Sequence, residues 1–134
     1  MEKAEDVGVA FYEVMGRLFY AIVASDGVVT ASEQKCLKRM VCSHWVCIEE
    51  VKDKFCSCKP TEIIHAFEYA LFKRLRCDAC FNEYLSFKNE NPELFAPVVK
   101  KLIWTTANVI AHAFPGLNRS EAQMLIRLQE SLEA

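Results

Sequence analysis

Glycine, proline and unbroken apolar runs are scarce in this chain of 134 residues, which has only four Gly and four Pro. Its apolar residues recur mostly three or four positions apart, a spacing that indicates helices rather than strands. No stretch reaches the roughly 18 consecutive apolar residues that a membrane helix needs, because even residues 102–114 include Thr105, Thr106, Asn108 and His112. The sequence therefore predicts an all-α protein without a transmembrane segment.

A strong excess of charge of one sign is also lacking. Sixteen Lys and Arg oppose 18 Asp and Glu, for a formal net charge of -2, so no overall field attracts phosphate backbones or anionic lipid. The basic runs at residues 73–76 and 100–101 are typical of solvated helix faces, with an interaction patch as the alternative. We therefore expect no nucleic-acid partner.

An export signal and the familiar catalytic motifs are missing as well. Residues 1–6, MEKAED, do not have the basic and then apolar order of a secretory signal, so we expect a cytoplasmic protein. The sequence contains no Gly-rich phosphate loop, HExxH motif or nucleophile elbow, and its three histidines stand apart from such motifs. We therefore predict a protein that is not an enzyme. Helical folds can assemble sites from distant residues, which leaves an enzyme without a recognisable motif as an alternative.

Apolar side chains, by contrast, are abundant: 52% of the residues are hydrophobic and nine are Phe. That content is enough for one full core, and a chain of this length matches a single domain. We predict that residues 1–134 form one compact bundle of about seven helices, with the broadly apolar first helix at its centre. In chain order, the first predicted helix covers about 5–24 and the second begins near Thr30. The third covers 48–55, the fourth begins at Thr61 and the fifth covers 79–88. The sixth runs from 93–95 to about 115, and the seventh begins at Asn118.

One pattern occurs near each end of the chain: an apolar helix, a tight turn and a capped second helix. Thr30-x-x-Glu33 and Asn118-x-x-Glu121 both fit the capping box. In this motif the cap side chain accepts a hydrogen bond from the amide three residues later, and the Glu carboxylate accepts one from the cap amide. Both segments therefore predict a tightly capped helix start.

A glycine precedes each of these caps, Gly27 in the first turn and Gly116 in the second. Glycine adopts the left-handed backbone that ends a helix at the least steric cost. The two segments also align from the cap onward, where Leu37 pairs with Leu125. We therefore predict two pseudo-repeated helix-turn-helix hairpins whose long helices pack together at the centre.

The first turn also resembles a known family. Residues 24–33, ASDGVVTASE, are similar to the Ala-Asp-Gly turn and downstream Glu of the TerB-like tellurite-resistance domain. The resemblance is best over residues 18–41 and weaker over 107–132. It implies a compact all-helical protein of bacterial stress-response systems that is not an enzyme, binds divalent metal through acidic residues and joins larger assemblies.

Carried onto this chain, the resemblance implies Asp26, Glu33 and Glu121 as metal ligands. The second turn departs from the family pattern, because Pro115 occupies its acidic position and leaves the site one carboxylate short. The same residues also have a structural explanation, in which Asp26 accepts bonds from turn amides and Glu33 completes its capping box. Ca²⁺ and Mg²⁺ bind several oxygen ligands, so two carboxylates in one turn are few.

Seven cysteines are an odd number, which in a chain without an export signal favours free thiols. Cys56, Cys58, Cys77 and Cys80 provide the four soft ligands that a tetrahedral zinc site needs, although C-x-C is an unusual half-site and cysteine is common in cores. The Cys77-x-x-Cys80 pair also permits redox chemistry. A structural zinc or redox-sensing module is therefore the alternative to the TerB-like hypothesis.

The leading functional prediction is a non-enzymatic TerB-like stress-response domain that acts through a protein partner. Weak divalent-metal binding at the Asp26-Gly27 turn accompanies this prediction. A homodimer is a further hypothesis, because aromatic residues such as Trp45 and Trp104 serve equally well in cores and in interfaces.

Overall fold

The computed structural model describes residues 2–45, 60–113 and 117–133, with side chains from residue 8 onward. Within these ranges the chain forms six α-helices and one 3₁₀ turn, and no strand. The elements are α1 (Glu2–Val23), α2 (Ala31–Ser43), α3 (Glu62–Lys73), α4 (Cys77–Glu90), the 3₁₀ turn Pro92–Leu94, α5 (Pro97–Ala111) and α6 (Arg119–Glu133). The predicted all-α class is confirmed, and the helix predicted over 48–55 lies outside the described residues.

Helix α1 is the central element of the bundle, as its apolar sequence predicts. It contacts α3, α4, α5 and α6, and every side chain from Leu18 to Val23 is buried. At Gly16 the backbone of α1 comes so close to α3 that an added Cβ would lie 2.5 Å from the Ile63 carbonyl oxygen and 2.6 Å from Ala66 Cβ. Glycine is therefore required at this crossing, because any side chain would push the two helices apart.

The two predicted hairpins correspond to α1 with α2 and α5 with α6. Their long helices, α1 and α5, are in contact, although α1 packs more extensively on α3 and α4. Helix α2 packs mainly against α5, so the second helix of one predicted hairpin contacts the first helix of the other. The internal repeat itself stays a prediction.

Several helix starts differ from those predicted. Thr61 precedes α3 as expected, but its side chain does not cap the helix, because its backbone is itself helical, with φ -60° and ψ -16°. Helix α4 begins at Cys77 rather than at 79. Helix α5 begins at Pro97 rather than at 93–95, because residues 92–94 form the separate 3₁₀ turn and proline suits the first helical position, where no amide hydrogen is needed.

An aromatic cluster fills the core beside α1. The ring of Phe11 lies 6.2 Å from Trp45, 6.2 Å from Phe87 and 5.8 Å from Phe95, measured between centroids. Trp45 is fully buried, and its indole Nε1 donates a 3.0 Å hydrogen bond to the hydroxyl of Thr106. Trp45 is therefore a core residue.

None of the helices in the described ranges combines the length and apolarity that crossing a membrane requires. This finding is consistent with the prediction from the sequence that the chain has no transmembrane segment.

Candidate functional site

The first turn forms the capping box that the sequence predicts. The amide of Thr30 donates a 2.7 Å hydrogen bond to Glu33 Oε1, and the Glu33 amide donates one of 3.2 Å to Thr30 Oγ1. Gly27 has φ +88°, which confirms the left-handed conformation expected there. Asp26 Oδ1 accepts a 3.0 Å bond from the Val28 amide, so its turn-stabilising role is also present.

The second turn repeats this arrangement at the start of α6. The Glu121 amide donates a 2.9 Å hydrogen bond to Asn118 Oδ1, and the Asn118 amide donates one of 3.3 Å to Glu121 Oε1. The predicted capping box is therefore confirmed. Gly116 and Pro115 lie outside the described residues.

The two turns are in direct contact. The Asn118 side-chain amide Nδ2 donates a hydrogen bond to Asp26 Oδ2, joining positions 92 apart in the sequence. Asp26 therefore accepts one bond from its own turn and one from the cap of the other turn. Asn118 thus caps its own helix through Oδ1 and links the second turn to the first through Nδ2.

The two capping-box glutamates are buried close to each other. Glu33 is 3% exposed and Glu121 is 0% exposed, and the two carboxyl groups are close enough to interact directly. Two carboxyl groups can share a hydrogen bond only if one of them is protonated, because an ionised carboxylate only accepts. Glu121 Oε2 is buried and has no hydrogen-bond partner among the described residues.

The electrostatics of the pair follow from this burial. Desolvation, the adjacent Glu33 carboxyl and the charge of Asp26 together raise the pKa of Glu121 from 4.5 to about 8, and the hydrogen bond from the Asn118 amide opposes the shift only partly. Burial disfavours the charged form of a carboxyl, and a second carboxylate at close range disfavours it further. Near neutral pH Glu121 therefore holds a proton.

The structure thus brings Asp26, Glu33 and Glu121 together, and their role as metal ligands stays a prediction. Among the residues that the structure describes, no three His, Cys, Asp or Glu side chains already form a set able to hold a metal ion. The two glutamates face each other, but Asp26 is held by Val28 and Asn118. A cation bound by all three would have to draw Asp26 away from Asn118.

Sequence reasoning missed the direct contact between the glutamates and the link from Asn118 to Asp26. The available signal was the duplicated capping box, in which each Glu is followed three and four positions later by apolar residues of the same helix. Each Glu has a sufficient local explanation in its own cap, so the motif alone does not show that the two carboxyl groups meet.

The cysteines of the alternative site are only partly described. Cys77 is half-buried at the first position of α4 and Cys80 is 3% exposed, whereas Cys56 and Cys58 lie outside the described residues. Burial raises the pKa of the Cys77 thiol and, with help from the charge of Glu83, raises that of Cys80 to about 11. Both thiols are therefore protonated at neutral pH and are weak nucleophiles.

The three histidines occupy separate positions. His65 Nδ1 lies 3.5 Å from Glu62 Oε1 on the same helix. The ring of His112 lies 2.8 Å from the Asn108 carbonyl oxygen, at the end of α5. His44 follows α2 and is exposed. In the described ranges none of them belongs to a group of three or more His, Cys, Asp or Glu side chains that could hold a metal ion.

Comparisons with protein-family models, with curated proteins and with solved structures found no match to this chain.

Proposed function

We propose that the paired turns bind a divalent cation through Glu33 and Glu121, with Asp26 as a third ligand. In this proposal the chain is a non-enzymatic TerB-like stress-response domain of the cytoplasm, and the cation site supports its engagement of a protein partner. The observation that carries the cation site is the buried Glu121 Oε2, which lacks a hydrogen-bond partner among the described residues and lies beside a second buried carboxyl.

A cation between the glutamates would offset the unfavourable burial of two carboxylates. Burying a charged carboxylate without a compensating charge or donor is strongly unfavourable. Each glutamate already holds its cap amide through Oε1, which fixes both carboxyl groups in position before any ligand arrives. Hard cations such as Ca²⁺, Mg²⁺ and Mn²⁺ bind carboxylate oxygens, so one such ion would neutralise both glutamates at once.

The test is a thermal-unfolding titration of the reduced, chelator-stripped protein with Ca²⁺, Mg²⁺, Mn²⁺ and Zn²⁺ at a slightly alkaline pH. A ligand that binds only the native state stabilises it by about 2.7 kcal/mol at a hundredfold excess over Kd. We expect a concentration-dependent rise in Tm with at least one of the first three ions. A rise confined to Zn²⁺ would instead direct attention to the cysteines.

Two variants make this titration specific. Glu121→Gln removes one carboxylate but keeps a side chain that fits the capping box, whereas Glu130→Gln removes the same charge from an exposed position on α6. The cation response should persist in E130Q and disappear in E121Q. Equal responses in both variants, or no response in the unmodified protein, would reject the cation site.

A further inference from the structure

A second site is formed by a cleft of about 460 Å³ between the first turn and the starts of α4 and α6. Its lining includes two guanidinium groups from different elements, Arg76 at the start of α4 and Arg127 on α6. The cleft is separate from the buried glutamate pair, and the inference drawn from it does not depend on the cation site.

Arg127 is held in place by its neighbours. Its guanidinium carbon lies 4.4 Å from the centroid of the Phe81 ring, and Nη1 lies 3.7 Å from the Met124 sulfur. Its ion pair with Asp78 is loose, at 3.8 Å, and the Asp78 side chain is 76% exposed. A stacked guanidinium is already ordered, so less conformational freedom is lost when it binds an anion.

Other lining groups are also able to donate hydrogen bonds. Ser120 contributes a hydroxyl group and Gln123 contributes a side-chain amide, whereas the Ser25 hydroxyl already donates a 2.8 Å hydrogen bond to the Ile22 carbonyl oxygen. Cys77 and Asp78, the first two residues of α4, also line the cleft, so the positive end of that helix dipole lies at its edge.

Negative charge near the cleft comes from two carboxylates. Asp78 lies in the lining, and the charge of Asp26 reaches Cys77, where it contributes to the raised pKa of that thiol. Asp26 is engaged by Asn118, and Asp78 is exposed and can turn toward solvent. The two arginines therefore remain available to an incoming anion.

We propose that this cleft binds the phosphate group of a small phosphorylated molecule. Arginine binds phosphate oxygens through two parallel hydrogen bonds, and the hydroxyl and amide donors suit the remaining oxygens. The volume exceeds what a phosphate group alone fills and falls in the range of small-ligand sites, which leaves room for an organic substituent against Met124 and Cys77.

The test uses inorganic phosphate as the probe, with binding measured by titration of backbone amide shifts in NMR spectra. The ionic strength is held constant with chloride. We expect saturable shifts at the amides of Cys77 and Asp78, and a rise in Tm that chloride does not reproduce. Arg76→Gln should weaken phosphate binding by about tenfold or more, as expected for one charge-assisted contact.

Arg39→Gln is the matched control, because Arg39 is exposed on α2 and its loss changes the net charge equally. Arg127→Lys adds a second check that keeps the charge and removes the forked geometry, and it should also weaken binding. The proposal is overturned if R76Q and R39Q bind phosphate equally well. It is likewise overturned if phosphate produces no saturable shifts at the cleft or if chloride produces the same ones.

Discussion

Replacing Glu121 by Gln should make this protein more stable at alkaline pH and remove most of its pH dependence above the ordinary carboxyl range. Glu121 has a folded-state pKa of about 8 against an ordinary value of 4.5. Below the ordinary pKa the group is protonated in both folded and unfolded states, so it contributes no penalty. As the pH rises toward the folded pKa, the unfolded chain releases the proton first, and the free energy of unfolding falls across this window.

The magnitude follows from the difference between the two pKa values. One pKa unit corresponds to about 1.4 kcal/mol, so the full loss of stability above the folded pKa is at most about 5 kcal/mol. The glutamine of the E121Q variant would carry no charge at any pH. Its amide could donate a hydrogen bond to the Glu33 carboxylate, and its oxygen could still accept one from the Asn118 amide. We therefore expect E121Q to exceed the unmodified protein by on the order of 2 kcal/mol at about pH 9.

The assay is urea unfolding of the reduced, chelator-treated protein at about pH 5, 7 and 9, followed by helical circular dichroism and by the combined fluorescence of Trp45 and Trp104. E130Q is the control for a simple change in net charge. The reasoning is refuted if E121Q loses as much stability between acid and alkaline pH as the unmodified protein. It is also refuted if E121Q is the less stable of the two at the highest pH.

Two further predictions concern the packing and the thiols. Gly16→Ala should lower the free energy of unfolding by roughly 1–3 kcal/mol, because the added Cβ would overlap Ala66 Cβ and the Ile63 carbonyl. Midpoints of urea unfolding measure this change. Unchanged stability would contradict the close approach of α1 to α3. In the native protein an alkylating reagent should modify the exposed Cys42 well before the buried Cys80, whose pKa is about 11. Mass spectrometry of timed samples measures the order, and faster labelling of Cys80 would contradict its burial.

The features that the sequence predicted well are those set by local chemistry. The apolar spacing of α1 requires burial on most sides, and the central position of this helix follows from it. Both capping boxes formed at Thr30 and Asn118 because their hydrogen bonds join residues only three positions apart. Such contacts depend on a few neighbouring residues and little on the rest of the fold.

The features that sequence reasoning missed depend on tertiary packing or on unusual helix starts. The start of α4 follows Arg76, which is not a capping residue type, so nothing local marked Cys77 as the first helical position. The contact between Glu33 and Glu121 depends on how α2 and α6 are placed by the rest of the bundle. Because each capping box is complete within its own turn, its sequence carries no information about the distance between the two turns.

Glu33 and Glu121 each take part in two interactions, which couples the starts of two different helices. Each carboxyl group closes the first turn of a helix and also faces the other carboxyl group. Protonation of Glu121 is therefore coupled to the starts of both α2 and α6. Thermodynamic linkage makes this coupling reciprocal. A binding partner that binds the Glu121-protonated form more tightly would therefore raise the proton affinity of Glu121. It would do so by the same factor by which protonation strengthens the binding of that partner.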